Sequence, residues 1–370
     1  MQILKECLPQ FSESLRKKNK YFMEQEQYKW MVCVSCPTFN HAPYIVDAMN
    51  GFTMQETTFP FVCTVIDDAS TDGEPEVIRK YLQENFDLED KSVVRHEETD
   101  DYVLCFAQHK TNKNCYFAVF LLRYNHYSIK KPKVRYLERW HKKAKYIALC
   151  EGDDYWIHPK KLQKQTDYME SHNDVAMCTH AFATVTSSGR IIKLLHPKQE
   201  DGLLDVGLVI ENVQAPQTAS FFYRSKDAIM SPHVFYETRV GDYTRRVYSA
   251  INGGIYYIDT IMSHYRKFSS NSWTSKMTEN IDEFVDHVDK MKVFAFKLDE
   301  LTNGLYHINI ENRIDYLVYL KNIKSGNLKI AINTNYFQSK NLLYRIKTII
   351  NNKYPMIYYN IISKFHIIFR

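Results

Sequence analysis

Short apolar runs, each followed by a polar turn and then by residues of helical spacing, set the pattern of the first hundred residues. Met31–Cys36 is an apolar run of strand length, and Pro43–Met54 places Ile45, Ala48, Met49 and Phe52 on one side of a helix. Phe61–Ile66 is a second strand. It ends in Asp67-Asp68-Ala69-Ser70-Thr71-Asp72-Gly73, and an amphipathic helix follows over Pro75–Phe86 through Val77, Ile78, Tyr81 and Leu82. Ser92–His96 reads as a third strand. This β-α-β-α-β alternation predicts a parallel sheet with right-handed crossovers.

Between Asp100 and Lys145 the alternation blurs, and the stretch reads as an insertion. It holds one strand at Leu104–Lys110 and a basic loop and helix at Lys130–Lys145. The buried strand Tyr146–Cys150 then resumes the pattern. A helix over Pro159–His172 follows, then a strand at Val175–Thr184 and a turn at Ser187-Ser188-Gly189. Gln217–Arg224 and Gly254–Arg266 read as strands, with a helix between them from Val240-Gly241-Asp242-Tyr243 to Ala250. The first thirty residues form a polar, helical lead-in. Beyond about Lys276 the spacing is helical and increasingly aromatic and basic.

Composition is that of a globular enzyme-sized chain: 370 residues, 45% hydrophobic and 25% charged, with 14% aromatic residues. The net charge of +5 is unevenly placed. From Tyr316 onward there is no Asp or Glu but nine Lys or Arg, which leaves a balance of −4 before it. Basicity belongs to the tail, so nucleic acid is not an expected partner. Cys33-Val34-Ser35-Cys36 matches C-x-x-C, yet it lies inside a strand and no second copy completes a zinc ribbon. The eight cysteines show no disulfide-like framework, which suits a reducing cytoplasm. The polar start lacks an apolar signal region, and no run of roughly 18 apolar residues predicts a spanning helix.

The chemistry concentrates in three segments at strand ends, which a doubly wound sheet brings to one crevice. Pro37, Thr38, Phe39 and Asn40 supply a hydroxyl, an aromatic face and an amide. Asp67 and Asp68 supply carboxylates that accept hydrogen bonds from a nucleobase imide or ribose hydroxyls. Glu151-Gly152-Asp153-Asp154-Tyr155-Trp156 places three carboxylates together. Their mutual repulsion calls for a cation, and a divalent metal carrying a diphosphate is the simplest one. Each segment alone also reads as an ordinary turn or helix cap. Their order along one α/β half is the specific signal.

These segments resemble the family 2 glycosyltransferases, of bacterial surface-polysaccharide type. The matching residues are Cys36–His41, Val65–Gly73, Tyr146–Trp156 and Pro159–Gln165, with further likeness at Gln217–Ser220, Gly241–Tyr243 and Tyr265-Arg266. The resemblance implies a GT-A (Rossmann-like) α/β nucleotide-diphospho-sugar transferase fold over residues 31–275, with a helical extension over 276–370. It implies Thr38 and Phe39 beside the nucleobase, Asp67 or Asp68 on uracil or ribose, and Asp153 on the ribose side of the donor. It further implies Asp154 on Mn²⁺ or Mg²⁺ with Glu151 shaping the motif, and Asp242 as the base. Trp156 and Gln217 are expected near the donor sugar or acceptor. Relatives often carry a histidine after the Tyr-Arg pair, where this chain has Phe268; His264 is the nearest alternative as a metal ligand.

The implied activity is inverting, metal-dependent transfer from a nucleotide-diphosphate sugar, UDP-linked, to a glycan or lipid-linked acceptor in polysaccharide biosynthesis. A non-catalytic nucleotide-sugar-binding protein on the same fold is the alternative. Nucleotidyltransferases and dinucleotide oxidoreductases want a Gly-rich phosphate loop after the first strand, and Pro37–His41 offers none. The tail interleaves Leu342, Leu343, Ile346, Ile349 and Ile350 with Arg345 and Lys347, and clusters further apolar residues over Met356–Phe369. That suits either an amphipathic segment on the inner, anionic membrane face or a packed helical hairpin. The expected location is cytoplasmic, peripheral at that face.

Overall fold

The computed structural model describes residues 28–230, 241–267 and 280–353. All but three residues of the expected lead-in, Phe268 and Met356–Phe369 lie outside the described residues. The chain folds as two units. The first holds the described residues up to 206 together with 214–230 and 245–267, and the second holds 207–213, 241–244 and 280–353.

The first unit is a mixed α/β layer structure around one large sheet, as the alternation predicts. Its strands are β1 (Trp30–Thr38), β2 (Phe61–Asp67), β3 (Phe86–Asp87), β4 (Arg95–Glu98), β5 (Tyr102–His109), β6 (Cys115–Leu122), β7 (Ala144–Leu149), β8 (Tyr155–Trp156), β9 (Met177–Val185), β10 (Ile191–Leu195), β11 (Gly202–Leu203), β12 (Phe222–Arg224) and β13 (Ile255–Arg266). The order is β11-β13-β9-β12-β7-β1-β2-β6-β5-β3, with β10 on β9, β4 on β5 and β8 on β13. β7, β1, β2 and β6 run parallel, so their carboxyl ends open on one side.

The third parallel strand is β6, not the expected Ser92–His96. Residues 115–122 form an almost wholly buried apolar run beside β2, whereas β4 is a polar strand antiparallel to β5. Burial on both faces is what a central parallel strand requires, and the sequence of β4 does not supply it. The stretch read as an insertion is therefore part of the sheet. The expected strand Gln217–Arg224 begins as a 3₁₀ turn, Thr218–Ser220, capped by Gln217, before β12.

The core lies on both faces. On one, Val32, Val34 and Cys36 of β1 meet Ile45, Met49 and Phe52 of the helix Ile45–Thr53, Ile78 and Leu82 of the helix Glu74–Asn85, and Leu162 and Met169 of the helix Lys161–Ser171. On the other, Cys33, Val62, Ile66 and Phe120 meet Tyr136 of the helix Val134–His141. Cys33 and Cys36 thus point to opposite faces, as i and i+3 on a strand must, so they cannot act as a pair. Burial pushes the Cys33 thiol up to about 12.

The second unit is helical. Asn280 caps the helix Ile281–Leu301 by accepting from Glu283 N at 3.1 Å, and a short loop leads to the helix His307–Lys324. Their apolar sides, with Val288, Met291, Phe294 and Leu298 against Ile310 and Leu317, are buried. The short helices Leu328–Ala331 and Asn335–Gln338 and the helix Leu342–Lys353 follow, around a cluster of Tyr319, Ala331 and Phe337. No helix among the described residues is long and apolar enough to cross a membrane.

Candidate functional site

Residues 38–41 turn away from β1 because Asn40 adopts a left-handed backbone, φ 55°. Asparagine tolerates that region, and its side chain supports the turn by accepting from Thr71 N at 2.8 Å. The turn is anchored by Glu74, which is buried at the start of its helix. Glu74 accepts from the Thr38 hydroxyl through one oxygen, and from His41 N (2.9 Å) and the Ser70 hydroxyl (2.8 Å) through the other. Ser70 in turn accepts from Asn40 N at 2.8 Å. A buried carboxylate satisfied by three donors thus ties the first strand end to the second.

Asp67 and Asp68 are both buried, but their surroundings differ. Asp68 is saturated: it accepts from His126 N (2.8 Å), Tyr127 N (3.1 Å) and Lys133 Nζ (2.8 Å). Asp67 accepts from Ser70 N through Oδ2, at 3.2 Å, and among the described residues its Oδ1 is buried without a hydrogen-bond partner. Burial, with the Glu74 and Asp68 charges against the relief from Ser70, pushes the Asp67 carboxyl up to about 6. An orphaned carboxylate oxygen is costly, and a ligand donor would relieve it. Successive residues at a strand end project to opposite sides, which is why neighbouring aspartates meet different fates.

The acidic motif hangs from β7 and is clamped from β13. Asp154 is fully buried; its Oδ1 accepts from Arg266 N at 2.9 Å and its Oδ2 from Gln217 Nε2 at 2.5 Å. Burial and then the charges of Asp153 and Glu151 hold its carboxyl well above the usual range, against those two donors. The Arg266 guanidinium donates to Asp153 O (2.7 Å) and to Asp47 (2.6 Å), and lies over the rings of Tyr44 and Tyr155. Gly152 is required by space: a Cβ there would fall 2.6 Å from Thr38 Cβ and 3.2 Å from His41 Nδ1. That close approach sets Asp153 beside the first segment, with Oδ2 3.8 Å from His41 Nε2.

The structure brings Thr38, Asn40, Asp67, Asp68, Asp153 and Asp154 to one edge, in surroundings that differ from residue to residue. Asp154, the expected metal ligand, has both oxygens engaged inside the protein. Glu151 and Asp153 are the part-exposed carboxylates of the motif. Trp156, expected near the donor sugar, is a core residue: its Nε1 donates to Ala219 O, and its ring meets Phe52 edge-on beneath Lys161 Nζ. Gln217, expected there too, holds Asp154. His264 binds the Tyr155 hydroxyl at 2.9 Å, and burial lowers its imidazole pKa. Pro37 is exposed and Phe39 is half-buried. Asp242 is the second residue of the helix Gly241–Asn252, in the four residues of that helix that belong to the second unit. There it opposes the lowering of the His287 imidazole pKa caused by burial and by Arg313.

Two residues of the site, Glu74 and His41, do not stand out in the sequence as functional. The signal for Glu74 was present: an acid at the first turn of a helix that follows a Gly-ended loop is the usual place for backbone capture. His41 closes the first motif and carries no separate signal of its own.

The donor set fits a divalent cation in chemistry. The Thr38 hydroxyl gives its proton to Glu74, so it accepts from His41 Nδ1–H at 3.2 Å. The other ring nitrogen then lies 3.8 Å from Asp153 Oδ2, and His41 and Asp153 would help hold a divalent cation there. No cluster of three or more His, Cys, Asp or Glu side chains that could hold a metal ion occurs among the described residues.

No family model matches this chain. It is 26% identical over 242 residues to the uncharacterized protein Rv1520 of Mycobacterium tuberculosis, and equally to Mb1547 of Mycobacterium bovis; the match covers 65% of this chain. The chain thus spans about 60% of the length of the curated relatives it matches. Among solved structures it is similar to S. aureus TarS 1–349 in complex with UDP-GlcNAc, with a TM-score of 0.46 and 15% identity over 87% of this chain and 79% of that one. It is similar also to the mannosyltransferase PcManGT from Pyrobaculum calidifontis in complex with GDP-Man and Mn²⁺, with a TM-score of 0.44 and 11% identity over 96% of this chain and 99% of that one.

Proposed function

We propose that this protein is an inverting glycosyltransferase that moves a sugar from a nucleotide-diphosphate donor, UDP-linked, to a hydroxyl of a glycan or lipid-linked acceptor in polysaccharide biosynthesis. The observation that carries this reading is the convergence of three strand ends: Glu74 joins Thr38 and His41 to the Asp67 loop, and Gly152 lets Asp153 close on them. In this reading Asp67 Oδ1 accepts from the nucleobase imide or ribose, beside Phe39, and Asp68 shapes the pocket from behind. Asp153, with His41 and Glu151, faces the diphosphate and its Mn²⁺ or Mg²⁺. Asp154 keeps the motif rigid through Arg266 and Gln217. When bound, the metal neutralises the charge of the departing diphosphate.

Asp242 takes the proton of the acceptor hydroxyl as it attacks the anomeric carbon, a role typically contributing about 10²–10⁴-fold. Support for that role is its residue type at a helix start, as the family resemblance implies. The test is UDP release across a panel of nucleotide sugars with and without Mn²⁺, in wild type, Asp153→Asn and Asp242→Asn. Metal-dependent turnover of one donor, lost in Asp153→Asn, supports the reading. Uridine and UDP failing to bind in calorimetry would overturn it. UDP binding without turnover on any acceptor would favour the binding protein.

A further inference from the structure

We infer that the helix Leu342–Lys353 docks onto an anionic lipid surface. Leu342, Leu343 and Ile346 are 69%, 76% and 45% exposed, which is unusual for three large apolar residues within five positions. At about 100° per residue, Leu342, Lys353, Ile346, Ile350, Leu343 and Lys347 follow one another around about 140° of the helix. The result is an apolar stripe with lysines along it and at its margin. Ile330 of the short helix that packs beside it is also exposed, 53%.

The rest of the helix surface, from Ile349 beside Leu342 round to Tyr344, holds it in the second unit. The Tyr344 hydroxyl lies 3.1 Å from that of Tyr319, Arg345 stands 5.7 Å from the Phe337 ring centroid, and Ile349 packs against the Tyr319–Phe337 cluster. The helix is thus held through Tyr344, Arg345 and Ile349 while Leu342, Leu343 and Ile346 stay exposed. This helix has no buried residue.

Charge selects the occupant. Residues 316–370 hold nine Lys or Arg and no acid. A second copy meeting this face across a two-fold axis would gather Lys347 and Lys353 of both copies in one interface, where like charges repel. A bilayer with anionic headgroups accepts both features: lysine ends reach the phosphates while the apolar stripe enters the acyl boundary. The twelve described residues of this helix cover about 18 Å, less than the hydrocarbon layer, and no helix among the described residues is long and apolar enough to cross it; in the inferred docking this face lies in the interface plane. The same composition continues in sequence through Met356, Ile357, Tyr358, Tyr359, Ile361, Ile362, Phe365, Ile367 and Ile368, with Lys364 and Arg370. The inference stands on exposure and charge and is independent of the transferase reading.

The test is co-sedimentation of the full chain with vesicles of phosphatidylcholine containing about 30% phosphatidylglycerol, against pure phosphatidylcholine. The expected result is binding to the anionic vesicles only, reduced at least tenfold by Leu343→Glu with Ile346→Glu and about fivefold by Lys347→Gln. Circular dichroism melting checks that the variants stay folded, since the substituted side chains are exposed. Ile192→Glu, at an exposed apolar position of β10, should leave binding unchanged. Three results would overturn the inference: no binding of wild type at low salt, equal binding by the Leu343/Ile346 variant, or equal loss in Ile192→Glu. Sedimentation velocity showing a dimer that the double substitution dissociates would overturn it in favour of a second copy.

Discussion

His41 Nε2 and Asp153 Oδ2 face each other at 3.8 Å, where the first strand end meets the acidic motif. With Nδ1–H directed at Thr38, the facing nitrogen of a neutral ring carries a lone pair toward a carboxylate. A divalent cation held between them would satisfy both acceptors. In the proposed transferase reading, His41 belongs to the diphosphate end of the site.

His41→Gln is therefore expected to weaken Mn²⁺-dependent UDP binding about tenfold while leaving uridine binding without metal unchanged. Calorimetry with both ligands, plus Mn²⁺ electron spin resonance in the presence of UDP, reads the difference. Equal losses for uridine and UDP would make His41 a structural residue of the turn.

Asp67 predicts a pH dependence. Its carboxyl titrates at about 6, and the ionised form is the one that accepts at both oxygens. Uridine affinity should accordingly rise from pH 5 to pH 7 with a midpoint near that value, and the rise should be absent in Asp67→Asn. Uridine is the probe of choice because it carries no phosphate that titrates in the same window.

Lys161 carries a stability prediction. Its amine is fully buried, donates to Gln165 Oε1 at 2.7 Å and lies 4.0 Å from the Trp156 ring centroid; burial lowers it to about 7. The unfolded chain binds this proton up to its ordinary value of 10.5 while the folded chain releases it from about 7, so stability rises with pH across that window. The slope is at most about 1.4 kcal/mol per pH unit. Urea midpoints of wild type should climb from pH 7 to pH 9, and those of Lys161→Met should climb less.

Ala69 sits at φ 59°, between the two aspartates and Ser70. A left-handed alanine costs about 1–2 kcal/mol, whereas glycine adds about 0.4–1 kcal/mol of unfolded-state entropy. Ala69→Gly should thus stabilise the protein by roughly 0.5–1 kcal/mol, seen as a higher urea midpoint with an unchanged m-value. A lower midpoint would show that the Ala69 methyl group packs usefully.

Much of the first unit was legible as local pattern. The parallel strands β1, β2 and β7 and the helices between them announce themselves through apolar runs and helical spacing. β6 did not, although its run is the most apolar of all, because it follows the antiparallel strand β5 with no helix between them and a basic loop comes after it, which hid the alternation. The acidic motif was legible as a motif, but not the division of labour within it.

The elements, the order of the three strand-end segments and the charge asymmetry of the tail follow from the amino-acid order alone, since each depends on residues near one another in the chain. Which aspartate of each pair is closed by distant donors does not follow from it and emerges with the fold. Asp68 is closed by His126, Tyr127 and Lys133, and Asp154 by Arg266 and Gln217, partners lying 58 to 112 positions away. A carboxylate's role is set by the donors and the burial around it, and folding alone brings those donors to it.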